Sequence, residues 1–404
     1  MPGARPTPQQ EPIVSRSPFS LAVAGVFVLG SLTACGANAD SASGGDCVVK
    51  IGSIFSQTGA AAAFGGDGER AIELAIKDAN KEGFQVDGKD CTIDYKAVDL
   101  ASDPNKSASL AQDLIAGFGA KFVFGPDMAA AVPPAATAVE RAGNVMMLSV
   151  STGMDAYAGK DGPFFRLSPN DQTMVNDGYI PAAAEQLGDV QDIAMLMTDD
   201  DTGKALAEGY AASFADNGIT VSQTEFYDPT STNFAPIVQR IDDDVQGIFI
   251  GYNNDSTAAA IMDAAAEAGL PQVYITRGIS AQPGVAREDG LDAYTWLVLG
   301  ADPLYPADEE QEQFIAKFTD AYDVPDGQMT YFPFVHYDYV GMLIQAMEKA
   351  GTTTDVEAIS AALRGSSYDG VVQLSFDDAG LNTSPMGLGI LRDGQGEVVS
   401  FGGR

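Results

Sequence analysis

Few side chains in this sequence are of the types that carry out chemistry, and their spacing favours binding over catalysis. The one histidine, His336, stands beside Tyr337 in an apolar helical stretch, which indicates a packed or capping residue. The acidic run Asp199–Asp201 offers calcium ligands, but it lacks the spacing and downstream glutamate of an EF-hand loop. The sequence contains no Gly-x-Ser-x-Gly elbow, P-loop or His/Cys metal cluster. We therefore expect a protein that is not an enzyme and has no cofactor or metal site.

Length and charge narrow the class of protein further. With 404 residues the chain is too long for one compact core, so two or three domains are expected. Its formal net charge of −34 would repel phosphate backbones and anionic headgroups. Nucleic acid is therefore excluded as a partner, and the charge favours a soluble monomer.

The N-terminus has the pattern of an export signal. Residues Phe19–Leu29 form an uncharged apolar run that is too short to span a bilayer comfortably. The run leads to Leu32-Thr33-Ala34-Cys35, which resembles the bacterial lipobox, where a peptidase cuts before the lipid-carrying cysteine. We predict a lipoprotein signal peptide over 1–34, lipidation of Cys35 and a flexible tether over 35–45. The alternative is a plain secretory signal with an incidental cysteine.

The two remaining cysteines, Cys47 and Cys91, favour a disulfide. In an exported protein, an even pair is more often a disulfide than a metal or catalytic site. Each stands at the start of a predicted strand, and adjacent parallel strands would bring those starts within bridging distance. Two independent buried thiols are the alternative.

Short β-rich runs alternate with longer helical ones, first from Val48 to Leu148 and again from Ile193 to Ile275. The predicted fold class is α/β, with two doubly wound parallel-sheet lobes joined by several interlobe crossings and a ligand cleft between them. The predicted parts are lobe 1 (46–168 and 299–383) and lobe 2 (169–298 and 384–404).

A series of short motifs carries a family resemblance over nearly all of the mature chain. In order and spacing they resemble the type I periplasmic-binding fold of the branched-chain amino acid (Leu/Ile/Val-binding) receptors of ABC transporters. The motifs are Ile51-Gly52-Ser53-Ile54, Thr58-Gly59, Gly65, Gly125-Pro126, Phe165-Arg166, Pro169-Asn170-Asp171, Thr232-Asn233-Phe234 and Tyr337-Asp338.

The resemblance implies where the first lobe would hold an amino acid ligand. In the family, hydroxyls and backbone N–H groups of that lobe hold the ligand carboxylate. By position, Ser149, Ser151 and Thr152 fall on the hydroxyl loop. The preceding loop usually contains serine, but here it has Met128 and Ala129, so one side-chain donor is missing.

Phe64 falls where the family often has an aromatic wall, and the alternative is a loop residue packed on its own helix.

Ligands of open parallel sheets bind outside the carboxyl ends of the strands, and two lobes can close on such a ligand by hinge motion. The strand-end loops expected to line the cleft are Ser56–Gly66, Asp127–Ala131, Ser149–Gly153, Asp199–Gly203, Gly251–Asn254 and Thr276–Ser280.

In the second lobe of the family, tyrosines contact the ligand and an acid commonly pairs with its ammonium group. The first tyrosine position falls on Thr202, so that contact is lost, while Tyr252 or Asn253 stands at the second. The acid position falls on Arg277, with no carboxylate there. Its guanidinium would repel an ammonium group but suits a carboxylate or another anion. Two alternatives stay open: Arg277 is solvated at the lobe surface, or the acidic run ending at Asp201 supplies a counter-charge.

The leading functional hypothesis is an extracytoplasmic receptor of an ABC importer that binds a small amino acid, amide or organic acid and delivers it to the permease. It would be held at the cell membrane through the lipid on Cys35. The alternative is a sensor that presents its ligand-bound state to a membrane signalling partner. A hydrolase on this scaffold is a third hypothesis, without visible chemistry behind it.

Overall fold

The structure is a computed structural model that describes residues 47–59, 61–251, 255–278, 291–325, 328–392 and 394–401. The predicted signal peptide, Cys35 and the tether lie outside the described residues. Both lobes belong to one compact unit, Gly44–Arg404.

The sheet of lobe 1 has six strands in the order β2-β3-β1-β4-β5-β6. All neighbours pair in parallel except β2, which pairs antiparallel with β3. The central strands are almost wholly apolar because helices cover both faces of the sheet. Its strands are β1 (Cys47–Phe55), β2 (Phe84–Val86), β3 (Lys89–Asp99), β4 (Phe122–Phe124), β5 (Met146–Ser149) and β6 (Phe164–Arg166).

The sheet of lobe 2 has seven strands in the order β15-β14-β11-β10-β9-β7-β8. It is parallel from β8 to β11, and the last two strands add antiparallel at one edge. Its strands are β7 (Asp192–Thr198), β8 (Thr220–Tyr227), β9 (Gly247–Ile250), β10 (Val273–Thr276), β11 (Ala293–Val298), β14 (Met386–Arg392) and β15 (Gln395–Phe401). A short hairpin, β12 (Ser367–Asp369) with β13 (Gln373–Ser375), stands apart from both sheets.

Helices flank both sheets, and the C-terminal ones return to lobe 1, where α9 packs along α1. Side-chain caps start several of them: the Asp200 carboxylate accepts the Gly203 N–H at 2.7 Å, and Asp308 accepts that of Gln311 at 2.9 Å. The α-helices are α1 (Ala62–Glu82), α2 (Ser107–Gln112), α3 (Val132–Ala142), α4 (Ile180–Gln186), α5 (Asp201–Asp216), α6 (Ala235–Val238), α7 (Asp255–Ala268), α8 (Glu309–Tyr322), α9 (Phe332–Ala350) and α10 (Val356–Leu363). Two π-helical segments, Asp113–Phe118 and Gln172–Tyr179, extend α2 and precede α4.

The predicted fold class is confirmed: two α/β lobes, each built on a largely parallel sheet. The antiparallel additions β2, β12, β13, β14 and β15 were not predicted. In β14 the signal is weak because glycines interrupt it. Only a glycine fits at position 389, because a Cβ there would lie 1.9 Å from the ring of Trp296 on β11.

Three chain segments connect the lobes. The first follows β6, the second follows β11, and the third enters β14. Gly300, in the second segment, has a positive φ of 82° and lies against Val372 of the small hairpin. The strand carboxyl ends of both sheets lead into the loops between which a ligand cleft is expected.

Candidate ligand cleft

The first wall of the cleft centres on Asp127, which follows the cis Gly125-Pro126 bond after β4. Its two carboxylate oxygens accept the N–H and the hydroxyl of Ser56, each at 3.1 Å. A Cβ on Gly65 would lie 2.6 Å from Asp127 Oδ2 and 2.4 Å from the Ser56 carbonyl oxygen. A glycine at position 65 therefore lets α1 approach this contact.

Burial raises the pKa of the Asp127 carboxyl above its ordinary value. Hydrogen bonds from Ser56 and from the backbone N–H groups of Asp127 and Met128 oppose that rise. The carboxyl is half-buried and follows β4, in one of the loops predicted to line the cleft.

The predicted hydroxyl loop is bonded mainly to its own lobe. Ser149 is 1% exposed, and its hydroxyl donates to the Pro126 carbonyl at 2.5 Å. The same oxygen accepts the Ser151 N–H at 3.0 Å, and the Ser151 hydroxyl oxygen accepts the Gly153 N–H at 3.4 Å. Thr152 begins a short 3-10 turn and is half-exposed. Through these hydrogen bonds, Ser149 links the loop after β4 to the loop after β5.

The remaining lobe 1 candidates are apolar. Met128 is half-buried against the core behind β4, and Ala129 is exposed. Phe64 lies on α1 and packs against Phe332, with 5.5 Å between the ring centroids. Because Phe64 is only partly buried, the aromatic-wall and packing interpretations are both compatible with its position.

In lobe 2 the carboxylates of the acidic run Asp199–Asp201 have contacts at α5 rather than at Arg277. Asp199 pairs with Lys204 at 2.5 Å, and Asp200 caps α5. Asp201 and Thr202 are exposed on the first turn of that helix. The predicted ligand residues Tyr252 and Asn253 lie outside the described residues.

Arg277 follows β10, and the structure decides against one of the alternatives stated for it. It is not solvated at the surface, since 12% of its side chain is exposed and its guanidinium contacts the Asp171 carboxylate. A carboxylate therefore does stand at this position, supplied by the first interlobe segment. Tyr210 on α5 donates its hydroxyl to the other Asp171 oxygen at 2.8 Å. Burial acts to lower the pKa of Arg277, but the Asp171 carboxylate and the Tyr210 hydroxyl together outweigh burial and raise it.

Tyr331 precedes α9 and is buried in lobe 1. Burial raises the pKa of its hydroxyl, and the positive charges of Arg277 in lobe 2 and Arg166 in lobe 1 oppose that rise.

A groove of about 1300 Å³ opens beside the interlobe segments and runs along α4. Among the described residues that line it, none belongs to the six predicted strand-end loops. Asp171 joins the two features, since it lines the groove and contacts Arg277. The groove's other polar groups come partly from the interlobe segments, as Asn170 and Asn382 do, and partly from flanking elements, as Arg166 on β6 and Glu185 on α4 do.

The features set aside at the sequence level have structural roles. His336 is fully buried, its Nδ1 lies 2.9 Å from the Phe332 carbonyl oxygen, and burial lowers its pKa to about 4. This agrees with the prediction of a packed histidine.

Cys47 and Cys91 are joined by a disulfide whose Cα atoms are 4.4 Å apart. Within the described ranges, the structure groups no three residues as a metal site and contains no helix long and apolar enough to cross a membrane.

A family model described as periplasmic binding protein matches residues 48–395. The chain belongs to this family. It is therefore an extracytoplasmic binding protein rather than an enzyme, and the resemblance to the branched-chain amino acid type of receptor is confirmed.

Relatives of this periplasmic binding protein, and solved structures of similar proteins, agree with that assignment. The Leu/Ile/Val-binding protein BraC3 of Rhizobium johnstonii is 24% identical over 326 residues, 78% of this chain and 83% of the relative. The leucine binding protein LivK of Thermotoga maritima has a TM-score of 0.69 at 18% identity and covers 88% of this chain and 99% of its own. A solute binding protein of Rhodopseudomonas palustris in complex with p-hydroxybenzoic acid has a TM-score of 0.71 at 18% identity, covering 88% and 97%.

Sequence reasoning placed Asp127 in a loop expected to line the cleft without giving it a role, and it missed Asp171 and Tyr331. Asp127 had a usable signal, because it directly follows the Gly125-Pro126 motif at a strand end. Asp171 belonged to a quoted motif, but its partner Arg277 is 106 residues away in sequence. Tyr331 had no local signal, because its position depends on how α9 packs.

Proposed function

We propose that the chain is the solute receptor of an ABC importer, held at the outer face of the cell membrane by a lipid on Cys35. It captures one small amino acid, amide or organic acid between its lobes and delivers it to the permease. The lobes close on the ligand by hinge motion about the three interlobe segments. The tether after Cys35 keeps the receptor at high effective concentration near its membrane partner.

One observation supports this function most: strand-end loops carrying ionic groups occur in both lobes, with Asp127 after β4 and Arg277 after β10. Lobe 1 contributes Asp127 and the loop from Ser149 to Thr152, and lobe 2 contributes the Asp171–Arg277 pair. A few polar groups at the mouth of two apolar lobes is the usual composition of a small-molecule site.

The proposed ligand class stays broad for a physical reason. Arg277 alone would oppose an ammonium group, but Asp171 neutralises much of its charge. An α-amino acid is therefore compatible with the pocket. The names of the relatives, which bind Leu/Ile/Val or p-hydroxybenzoate, support amino acids and aromatic acids as the first compounds to test.

The test is a thermal-shift screen of the mature chain against amino acids, their amides, aliphatic acids and benzoates. The expected result is a higher melting temperature with a narrow set of chemically related compounds, by mass action. Arg277→Met should weaken binding of the hits about tenfold or more. Arg141→Met, an exposed arginine on α3, is the matched control. No shift with any compound would count against the receptor function.

The lipid anchor has its own test. In cells that process lipoproteins, the wild-type chain should fractionate with the membrane and carry a lipid-mass adduct on an N-terminal Cys35. Cys35→Ala should abolish the adduct and release the chain. A wild-type chain that is cut elsewhere and recovered entirely without lipid would contradict the anchor.

A further inference from the structure

A buried carboxyl holds the small hairpin of β12 and β13 in place. Asp338 on α9 is 1% exposed, and its Oδ2 accepts the Val372 N–H at 2.6 Å. The Val371 N–H is a second donor to the same carboxyl. Gly370 lies close as well, because a Cβ at that position would be 2.5 Å from Asp338 Oδ1. The turn that joins the two strands is therefore folded around this one side chain.

The same turn packs against the second interlobe segment. Val372 is 3% exposed, and a Cβ on Gly300 would lie 3.1 Å from the Cβ of Val372. Gln311 on α8 bridges the two chain segments, since its Nε2 donates to the carbonyl oxygens of Gly300 and Val371, each at 3.4 Å. Gly300 lacks a side chain and has a positive φ, so the segment can rotate there when the lobes move.

The three interlobe segments and the hairpin meet around one small void. Its volume is about 10 Å³, about the least that a single water requires. The lining includes one residue from each segment, Pro169, Gly300 and Asn382, together with Val372 of the hairpin. Because packed interiors transmit displacements rather than absorb them, a shift of the hairpin should be felt by the segments that connect the lobes.

The charges that face Asp338 disfavour its ionised form. Burial raises its pKa to about 7, with repulsion from Glu310 on α8 and Asp369 on β12, and the two N–H bonds from the turn oppose the rise. Tyr368 on β12 and Tyr339 on α9 interact with its charge, but burial raises the pKa of both, so they stay neutral near pH 7. Ionisation of Asp338 should therefore favour an arrangement in which the turn moves aside and water reaches the carboxylate.

We propose that Asp338 is a positioning residue for ligand capture: it holds the hairpin turn against Gly300, and this contact sets how the second interlobe segment rotates when the lobes close. Because the contact depends on an ionisable group, capture weakens as the pH rises toward neutrality. The inference rests on the proposed receptor function and adds regulation by pH to it.

The direction of the effect follows from linkage. With the turn in contact with Gly300, the protein binds the Asp338 proton more tightly than with the turn moved aside, where the carboxyl has its ordinary pKa near 4. Ligand affinity is therefore greatest at low pH and is lost progressively as the pH rises to about 7. His336 has a pKa of about 4 and stays neutral over most of this range.

The first test measures dissociation constants by calorimetry at about pH 5.5 and about pH 8, where L-leucine and p-hydroxybenzoate keep their main charge states. The strongest hits of the thermal-shift screen are added as probes. From the lower to the higher pH, the dissociation constant of the wild type should rise about threefold or more. Asp338→Asn, which cannot ionise, should lose this rise. Asp94→Asn, which removes a charge from an exposed position on β3 in the same lobe, should keep it.

A second measurement needs no ligand. Hydrogen exchange of the Val371 and Val372 amides, in the wild type relative to Asp338→Asn, cancels the intrinsic pH dependence of exchange. This ratio should rise about threefold or more between the two pH values, because ionisation frees the turn in the wild type alone.

The contact with Gly300 is tested by a pair of valines. Val372→Ala removes the side chain that packs against Gly300, and it should raise the dissociation constant about threefold or more at both pH values. Val139→Ala is the matched control, since Val139 on α3 in the same lobe is 1% exposed. It should lower the melting temperature to a similar extent without changing the dissociation constant.

The inference is overturned if the wild type and Asp338→Asn share one pH dependence of binding, if the exchange ratio stays constant, or if the two valine variants bind equally well. A purely structural role of Asp338 would change only the melting temperature of Asp338→Asn and would give the first of these results. Absence of binding by every probe at both pH values is a different failure, which overturns the receptor function and, with it, the inference.

Discussion

The Arg277 guanidinium contacts the Asp171 carboxylate across 106 residues of sequence. Asp171 ends the first interlobe segment, and Arg277 follows β10. The pair therefore fixes the start of lobe 2 to the carboxyl edge of its own sheet, beside the place where the lobes meet. Tyr210 holds the second oxygen of Asp171 and completes the arrangement.

Breaking this pair from one side should be costly. Asp171→Asn leaves the Arg277 charge in a site where 12% of its side chain is exposed, and we expect about 3 kcal/mol of lost unfolding free energy. Urea denaturation measures it. Asp177→Asn, an exposed aspartate on the following helical segment, should change stability by less than about 0.5 kcal/mol. Equal effects of the two substitutions would contradict the structural role of the pair.

Two neighbouring glycines of α1 should respond oppositely to alanine. Gly65→Ala places a methyl group 2.4 Å from the Ser56 carbonyl oxygen and 2.6 Å from Asp127, so it should separate these residues and lower the melting temperature. Gly66→Ala meets no atom within 4 Å and should raise helix stability by up to about 1 kcal/mol. Thermal melts of both variants check this, and a harmless Gly65→Ala would contradict the close approach of α1.

Asp338 should make stability fall as the pH rises. Its side chain is buried, its carboxylate accepts the Val372 N–H at 2.6 Å, and burial raises its pKa to about 7. The folded state therefore binds this proton more tightly than the unfolded state, whose carboxyl has its ordinary pKa near 4. The stability supplied by the protonated form is fully present below about pH 4 and is lost as the pH rises to about 7.

Asp338→Asn tests that direction, because the amide keeps an oxygen for Val372 but cannot ionise. From pH 4 to pH 8, the variant should lose less stability than the wild type, by a margin on the order of 3 kcal/mol. The control is Glu310→Gln, which removes a nearby exposed acid and leaves Asp369, the other nearby acid, in place. Parallel pH profiles for the wild type and Asp338→Asn would contradict the raised pKa.

The disulfide fastens the first strand of lobe 1 to its neighbour β3. Cys47 and Cys91 stand opposite each other on β1 and β3 and close a loop with a sequence separation of 44. Replacing both by alanine should cost about 4 kcal/mol of unfolding free energy. Urea melts with and without reductant measure it, since the reductant should destabilise the wild type and leave the double variant unchanged. A wild type that is insensitive to reductant under unfolding conditions would contradict this prediction.

The architecture was predictable because it depends on periodic signals. Apolar runs such as Phe122–Phe124 and amphipathic segments such as Glu309–Tyr322 repeat along the chain, and the structure forms a strand at the first and a helix at the second. The edge strands carry a weaker signal, as β14 shows, where Gly387 and Gly389 make room for side chains of neighbouring strands.

The chemistry of the cleft was less predictable because it depends on pairs that are distant in sequence. The position of Arg277 after β10 followed from the resemblance, but its environment did not, because Asp171 comes from another segment. Similarly, the bond between Ser56 and Asp127 joins the ends of β1 and β4. Only the register of those neighbouring strands brings the two residues together.

Small-angle X-ray scattering of the mature chain, titrated with a compound that raises its melting temperature, tests the central claim most directly. A two-lobed receptor that closes on its ligand predicts a smaller radius of gyration that saturates at one ligand per chain. A compound that binds at that stoichiometry and stabilises the protein, yet leaves the radius of gyration unchanged, would contradict capture by lobe closure.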